Sequence, residues 1–242
     1  MQTFLFDLDD TILAYDAVAG KAWQEACETY INHFSVSVAE LRSAILETSR
    51  WYWSDTARHK TGRMNLKQAR RDVIAKTLRD MNLQSIGQIP ISEEIGNSIA
   101  DFFSARREEL VHPFPGAIET LQTFKDRGYG MALLTNGAAE TQRNKIDRFD
   151  LEHFFKIILV EGELGFGKPD ARVYNMALEH LGAEPQDAMM IGDNLEWDIK
   201  GAQALGIKGI WNDWQKTGLP KDAPAKPDRI ISNISELREP IA

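Results

Sequence analysis

Thiols and basic charge are what this chain has least of. One of its 242 residues is cysteine, Cys27, so no disulfide framework exists within the chain. Cys27 lies in a mixed polar and apolar helical pattern with no basic neighbour close by. That setting suits packing, not a nucleophilic thiolate. Lys and Arg number 28 against 36 Asp and Glu, a net charge of −8. This balance offers no basic face for a nucleic-acid polymer, although a local cation still permits a small anionic substrate. No stretch approaches the ~20 apolar residues that span a bilayer. The N-terminus lacks a basic segment followed by a long apolar run, and its first acid arrives at Asp7. We therefore expect a cytoplasmic protein with neither a membrane nor a nucleic-acid polymer as partner.

The remaining composition is that of a soluble globular chain, 43% hydrophobic and 26% charged. Its length allows one large domain or two unequal ones. Short apolar runs read as strands at Thr3–Phe6, Met131–Thr135, Ile157–Val160, Ala188–Ile191, Gly209–Trp211 and Arg229–Ile231. Helical patterns over Gly116–Arg127, Asp170–Leu181 and Leu195–Leu205 each stop at a glycine. Strand alternating with helix predicts an α/β fold, a parallel sheet covered on both faces. From Ala14 to His112 the pattern is helical without a convincing strand, with Asn65 as a helix cap and Ser92 before another apolar periodicity. The expected organisation is a sheet domain of residues 1–13 and 113–242, interrupted by a helical domain of residues 14–112. Lys216–Pro227 reads as a surface loop.

Four polar sets fall at or near the predicted strand ends: Asp7, Asp9 and Thr11; Thr135-Asn136-Gly137; Gly167-Lys168-Pro169; and Gly192-Asp193-Asn194 with Asp198 beyond. Open parallel sheets bind ligands outside the carboxyl ends of their strands. Crowded carboxylates there need a cation between them, and a divalent metal is the usual one. An aspartate is a competent nucleophile toward phosphorus, forming an acyl phosphate. A second acid two residues on lies on the same side of an extended segment and can protonate the leaving oxygen. A threonine hydroxyl, free backbone N–H groups and a lysine suit phosphoryl oxygens. A third acid completes a magnesium site. Each set alone is also an ordinary turn, loop or cap; the four together, in order, point to phosphoryl transfer.

The motifs FDLDDTI, LLTNG, GKP and IGDNLEWD resemble those of the haloacid dehalogenase superfamily, over residues 1–13 and 113–235. The resemblance implies a Rossmann-like core with a helical C1 cap inserted between the first and second motifs. It implies Asp7 as nucleophile and Asp9 as general acid and base. Thr135 and Lys168 would hold the phosphoryl group, with a backbone N–H from Asn136. Mg2+ would be bound by Asp7, the Asp9 carbonyl and Asp193. Asp198 would support Lys168 or the metal shell, with Asn194 beside it. The dehalogenases that name the family lack the second acid and need no metal, so Asp9 favours the phosphatase branch. Asp10 stands where glycine is common. The stretches VEGELGFGKPDARVYNMAL and GDNLEWDIKGAQALGI most resemble phosphatases of nucleoside monophosphates and acylneuraminate-9-phosphate. The expected function is Mg2+-dependent hydrolysis of a small phosphorylated metabolite, a phosphate monoester, through an aspartyl-phosphate, by a monomer or homodimer; a phosphomutase of the beta-phosphoglucomutase type is the alternative among enzymes. A phospho-receiver is the alternative in another class, although receivers lack the second acid and the large insertion.

Inside the insertion, Trp51-Tyr52-Trp53 is followed by Arg58, His59, Lys60 and Arg63. Such a cluster is either insert core with a solvated face or a specificity element reading the substrate's leaving group through Arg58, Lys60 and Arg63. Trp197, Trp211 and Trp214 are expected to pack, and His33, His153 and His180 lack metal-like spacing.

Overall fold

The computed structural model describes residues 2–83, 85–86, 89–90 and 92–238. Its strands, in chain order, are β1 (Thr3–Phe6), β2 (Leu13–Ala14), β3 (Ser85–Ile86), β4 (Ile89–Pro90), β5 (His112–Pro113), β6 (Gly130–Thr135), β7 (Ile157–Val160), β8 (Ala188–Gly192), β9 (Lys208–Asn212) and β10 (Arg229–Ile231). Its α-helices are α1 (Ala19–Tyr30), α2 (Val38–Ser54), α3 (Thr56–Gly62), α4 (Leu66–Asp80), α5 (Glu93–Leu110), α6 (Ala117–Asp126), α7 (Ala139–Arg148), α8 (Glu161–Leu164), α9 (Ala171–Leu181) and α10 (Gly201–Gln203).

Two compact units divide the chain, one of Met1–Tyr15 with His112–Ala242, the other Asp16–Val111. In the first, six strands form one parallel sheet in the order β10-β9-β8-β1-β6-β7. From β1 the chain moves outward through β6 and β7, then returns to the other side of β1 as β8. The order thus reverses beside β1, which creates a crevice at the carboxyl ends of β1, β6 and β8.

β1 is buried at every position, as a central strand covered on both faces must be. Its side chains alternate. Phe4 points to an aromatic layer, with ring centroids 4.4 Å from Phe124 and 5.3 Å from Tyr129. Leu5 points to the opposite core, where Ala132, Leu134 and Met190 meet Val173, Tyr174 and Ala177 of α9. The six predicted strands are all present; β6 and β8 are longer by a residue at one end and β9 by a residue at each end. α7 has no counterpart among the predicted helices, because its sequence AETQRNKIDR contains one large apolar residue, Ile146. The predicted helix over Leu195–Leu205 is instead a π-helical segment, Leu195–Lys200, followed by the short α10.

The second unit is built on α1, α2, α4 and α5. Trp23 and Phe103 stack with centroids 3.6 Å apart. Cys27 is fully buried there, and burial pushes its thiol up to about 11, in keeping with a packing role. Ser37 and Glu40 form a reciprocal capping box at the start of α2. Asn65 caps α4 and Ser92 caps α5 through their side-chain oxygens. One strand pair interrupts the helices, β3 antiparallel to β4. The expectation of no strand in the insertion is corrected here; two-residue strands are too short to show an alternation. At the boundary, β2 pairs antiparallel with β5, both within the sheet unit. Among the described residues, no helix is long and apolar enough to cross a membrane.

The aromatic layer is the weight-bearing part of the sheet core. Phe124→Ala is expected to lower unfolding free energy by ~3–5 kcal/mol through lost transfer energy and a residual cavity. Chemical denaturation with unchanged m-value measures it.

Candidate active site

β1 ends at Phe6, and Asp7 is the first residue beyond it. Its backbone N–H still donates to Ile191 O at 2.9 Å, so the carboxylate is held at the sheet edge by the neighbouring strand. Lys168 Nζ donates to Asp7 Oδ1 at 2.5 Å, and Thr11 Oγ1 donates to Asp7 Oδ2 at 3.2 Å. The same ammonium lies 2.7 Å from Asp198 Oδ1. Lys168 and Asp198 are both buried. Burial pushes the Asp7 carboxyl up to about 7; Lys168 opposes the shift, while Asp198 and Asp9 add to it. Burial also works against the Lys168 ammonium. Asp198 and Asp7 outweigh it, and Lys168 is held above its ordinary value, firmly cationic.

Local chain geometry delivers these groups. Asn136, just past β6, clamps the backbone of Lys168: its Nδ2 donates to Lys168 O at 2.7 Å and its Oδ1 accepts from Lys168 N at 2.9 Å. Such a clamp needs close approach, and a Cβ on Gly167 would stand 2.4 Å from Asn136 Oδ1. Past β8, Asn194 N donates to Asp198 Oδ2 at 2.9 Å, and Asn194 Oδ1 accepts from Glu196 N and Trp197 N. Both Asp198 N and Ile199 N reach Asn194 O, at 2.9 and 3.3 Å. That shared acceptor is the wide turn, which explains the departure from a regular helix. It brings Asp198 against Gly192, where a Cβ would stand 2.2 Å from Asp198 Oδ2.

Asp10 adopts φ +56°. Aspartate is among the few residues that accept this conformation readily, which accounts for its standing where glycine is common. Asp10 Oδ1 accepts from Tyr15 N at 3.1 Å, and Asn212 Nδ2 donates to Asp10 O at 2.9 Å.

Asp7, Asp193 and Asp198 offer carboxylate oxygens that lie within 4.8 Å of one another. The donor set is entirely hard oxygen, without nitrogen or sulfur, which fits Mg2+ better than zinc or copper. Lys168 pairs with two of the three carboxylates, Asp7 and Asp198, and hard oxygens gathered in this way accommodate a divalent cation. The carboxylate of Asp9 is not in this group. It turns instead to α7, where Lys145 Nζ donates to Oδ1 at 2.6 Å and to Oδ2 at 2.5 Å. Asp198, not Asp9, supplies the third clustered carboxylate; the ligand expected of Asp9 is its backbone carbonyl.

Thr135 is buried at the end of β6 and accepts a hydrogen bond from Gln142 Nε2. Asn136 engages through its side chain, as described, and Gly137 N donates to buried Glu161 Oε2 at 3.0 Å. Trp211 packs and also donates from Nε1 to Asp193 O at 2.7 Å. In the inserted unit, Arg58 lies 3.9 Å from the Trp51 ring and donates to Trp51 O and Tyr52 O at 2.7 and 3.1 Å. These contacts commit Arg58 to the stability of its own unit. Lys60 is exposed and Arg63 is half-buried at the end of α3.

Gln142, Lys145, Glu161, Asn212 and Trp211 were not predicted as site residues. For Gln142 and Lys145 a signal existed: they share one helical face with Ile146, at i, i+3 and i+4, so polar groups sit where burial demands apolar ones.

Residues 1–206 match the family of haloacid dehalogenase-like hydrolases. The chain is 31% identical over 252 residues to the phosphoserine phosphatase of Thermus thermophilus, covering 98% of each. It is 26% identical over 246 residues to a glyceraldehyde 3-phosphate phosphatase of Methanopyrus kandleri, covering 98% of this chain and 95% of the relative. Among solved structures, the HAD hydrolase YfnB of Bacillus subtilis, bound to magnesium, superposes with a TM-score of 0.72 at 22% identity, over 98% of this chain and 96% of that one. At that identity the likeness is one of fold.

The raised Asp7 value fixes a sign for stability. The folded carboxyl titrates near 7 and the unfolded one near its ordinary 3.8. Between those values the folded state binds the extra proton, so stability falls as pH rises and the loss is complete above about 7. Asp7→Asn removes this penalty. In chelated buffer its melting temperature is expected to exceed wild type at pH ~8, with a gap that narrows toward pH ~5.

Proposed function

The chain belongs to the haloacid dehalogenase-like hydrolases, and from that premise we propose that it hydrolyses small phosphate monoesters through a phosphoryl group carried on Asp7. The observation that carries this reading is the separation of two acids two residues apart. Asp7 is paired with Lys168 and Thr11, while Asp9 is held apart on Lys145 and Gln142. Two carboxylates with different partners can serve as nucleophile and as proton carrier.

In the first step an Asp7 oxygen attacks phosphorus, the ester P–O bond breaks, and Asp9 gives its proton to the leaving oxygen. In the second, Asp9 takes a proton from water, the water oxygen attacks phosphorus, and the acyl phosphate opens to inorganic phosphate and the Asp7 carboxylate. Lys168 and the Thr135 hydroxyl hold phosphoryl oxygens, joined by a backbone N–H of Asn136. Asp7, the Asp9 carbonyl and Asp193 would hold Mg2+, with Asp198 keeping Lys168 in place. When bound there, the metal supplies the positive charge that an anionic nucleophile and an anionic phosphoryl group need in order to meet.

The enzyme class is phosphoric monoester hydrolase. Two relatives bear the names of phosphoserine and glyceraldehyde 3-phosphate phosphatases. Both compounds carry phosphate on a primary alcohol of a three-carbon skeleton, and a small polar ester of this kind is our first candidate. Nucleoside monophosphates and sugar phosphates, the class suggested by the sequence motifs, come second. A role for Arg58, Lys60 and Arg63 in substrate choice remains a separate proposal, to which the bonding of Arg58 lends no support.

Phosphate release from this panel is expected with Mg2+, to vanish in EDTA, and to return with excess Mg2+; full turnover in metal-free buffer would overturn the reading. Asp7→Asn should form no phosphoenzyme in rapid-quench labelling. Asp9→Asn should lose ~10²–10⁴-fold in turnover yet still label at Asp7 with an activated donor, whose leaving group needs little protonation.

A further inference from the structure

α7 carries two polar side chains that the reaction above does not use, Gln142 and Lys145, each 2% exposed. Lys145 reaches both oxygens of Asp9 and stands 4.0 Å from the centroid of the Tyr15 ring. Gln142 Nε2 donates to Asp9 Oδ2 at 3.1 Å and to Thr135 Oγ1. Both oxygens of Asp9 accept in the structure, so Asp9 fixes which end of the Gln142 amide faces it. The two amide hydrogens are then divided, one to Asp9 and one to Thr135. Thr135 Oγ1 is an acceptor in that bond, which leaves its own hydrogen to donate elsewhere.

Stability alone does not explain this pattern. Buried ion pairs are often no more stabilising than apolar residues of the same volume, and α7 spends two of its few inward positions on them. Both side chains end on groups that the proposed reaction needs. Asp9 Oδ2 accepts from Lys145 and from Gln142, whereas Oδ1 accepts from Lys145. Oδ1 has one donor where Oδ2 has two, which leaves Oδ1 a lone pair through which a proton can pass.

We propose that Lys145 and Gln142 are positioning residues that act as one device on α7. They hold Asp9 with Oδ1 presented to the ester oxygen, and they turn the Thr135 hydroxyl hydrogen toward a phosphoryl oxygen. The proposal rests on the phosphatase reading.

Its test compares two Mg2+-supported substrates that differ in their need for a proton, an alkyl phosphate such as phosphoserine and dinitrophenyl phosphate. Lys145→Met is expected to lose ~10²-fold or more in kcat/KM with the alkyl ester and about tenfold or less with the dinitrophenyl ester, because only the first depends on proton transfer from Asp9. Gln142→Met is expected to show the same leaving-group dependence, and in addition a raised KM for both esters through Thr135. Melting temperatures accompany both variants; if Lys145→Met does not fold, the leaving-group ratio of Gln142→Met decides. Equal losses on both esters, or no loss, in a folded variant overturn the positioning role while leaving the phosphatase intact. A wild-type protein inactive on both esters overturns the phosphatase reading, and this inference with it.

Discussion

A single ammonium group, that of Lys168, sits against two buried carboxylates, and much of the sheet edge is arranged around that fact. Two like charges ~4 Å apart repel by about 4 kcal/mol at an effective dielectric near 20. Asp7 and Asp198 tolerate one another because Lys168 lies 2.5 and 2.7 Å from them. The ammonium must therefore be placed to within a fraction of an ångström. Asn136 fixes the backbone that carries it, and glycine at 167 allows that clamp to close. On the other side, the wide turn after Asn194 and the bare Cα of Gly192 let Asp198 come close enough to pair. Four segments distant in sequence are thus tuned to one charge.

The two acids of the first motif are treated in opposite ways by the same logic. Asp7 shares its lysine with a second carboxylate, and its side chain is 11% exposed. Asp9 has a lysine of its own, and its side chain is 25% exposed. In the proposed reaction Asp7 is the nucleophile, and a nucleophile gains from being held rigidly among charges. Asp9 is the proposed proton carrier, and a proton carrier gains from a face open to solvent. The chain encodes both by placing Lys168 in the loop between α8 and α9 and Lys145 inside α7.

Most of the sheet was legible because its signals are local. Thr3–Phe6 and Ala188–Ile191 are apolar runs, each followed within two residues by an acid. Asp7, Thr135, Lys168 and Asp198 could be picked out because each stands at a strand end or beside a turn. α7 was not legible, and the reason is physical. Periodicity reports on apolar faces, and the inward face of α7 is largely polar, with Ile146 as its one large apolar residue. A helix held by ion pairs and amide bonds to a site shows no hydrophobic period until the site is known. The wide turn at Leu195–Lys200 was hidden for a related reason. Its sequence is compatible with an ordinary helix, and the deviation comes from where Asp198 must go. The two-residue strands of the insertion were simply below the length at which alternation can be seen.

The small ladder between β2 and β5 has a consequence for how such a chain varies. Leu13 lies opposite Pro113 and Ala14 opposite His112, so the points where the chain leaves and rejoins the sheet unit are already side by side. To the sheet unit, everything from Asp16 to Val111 is one long hairpin loop whose ends are closed by its own backbone bonds. Closure entropy grows only with the logarithm of loop length, about 0.6 kcal/mol for each doubling. The sheet unit is therefore nearly indifferent to how much chain is inserted there. An insertion at this ladder can be lengthened, shortened or exchanged for another fold without a new solution for the strands, so the part of the gene most open to innovation is set by two pairs of facing residues.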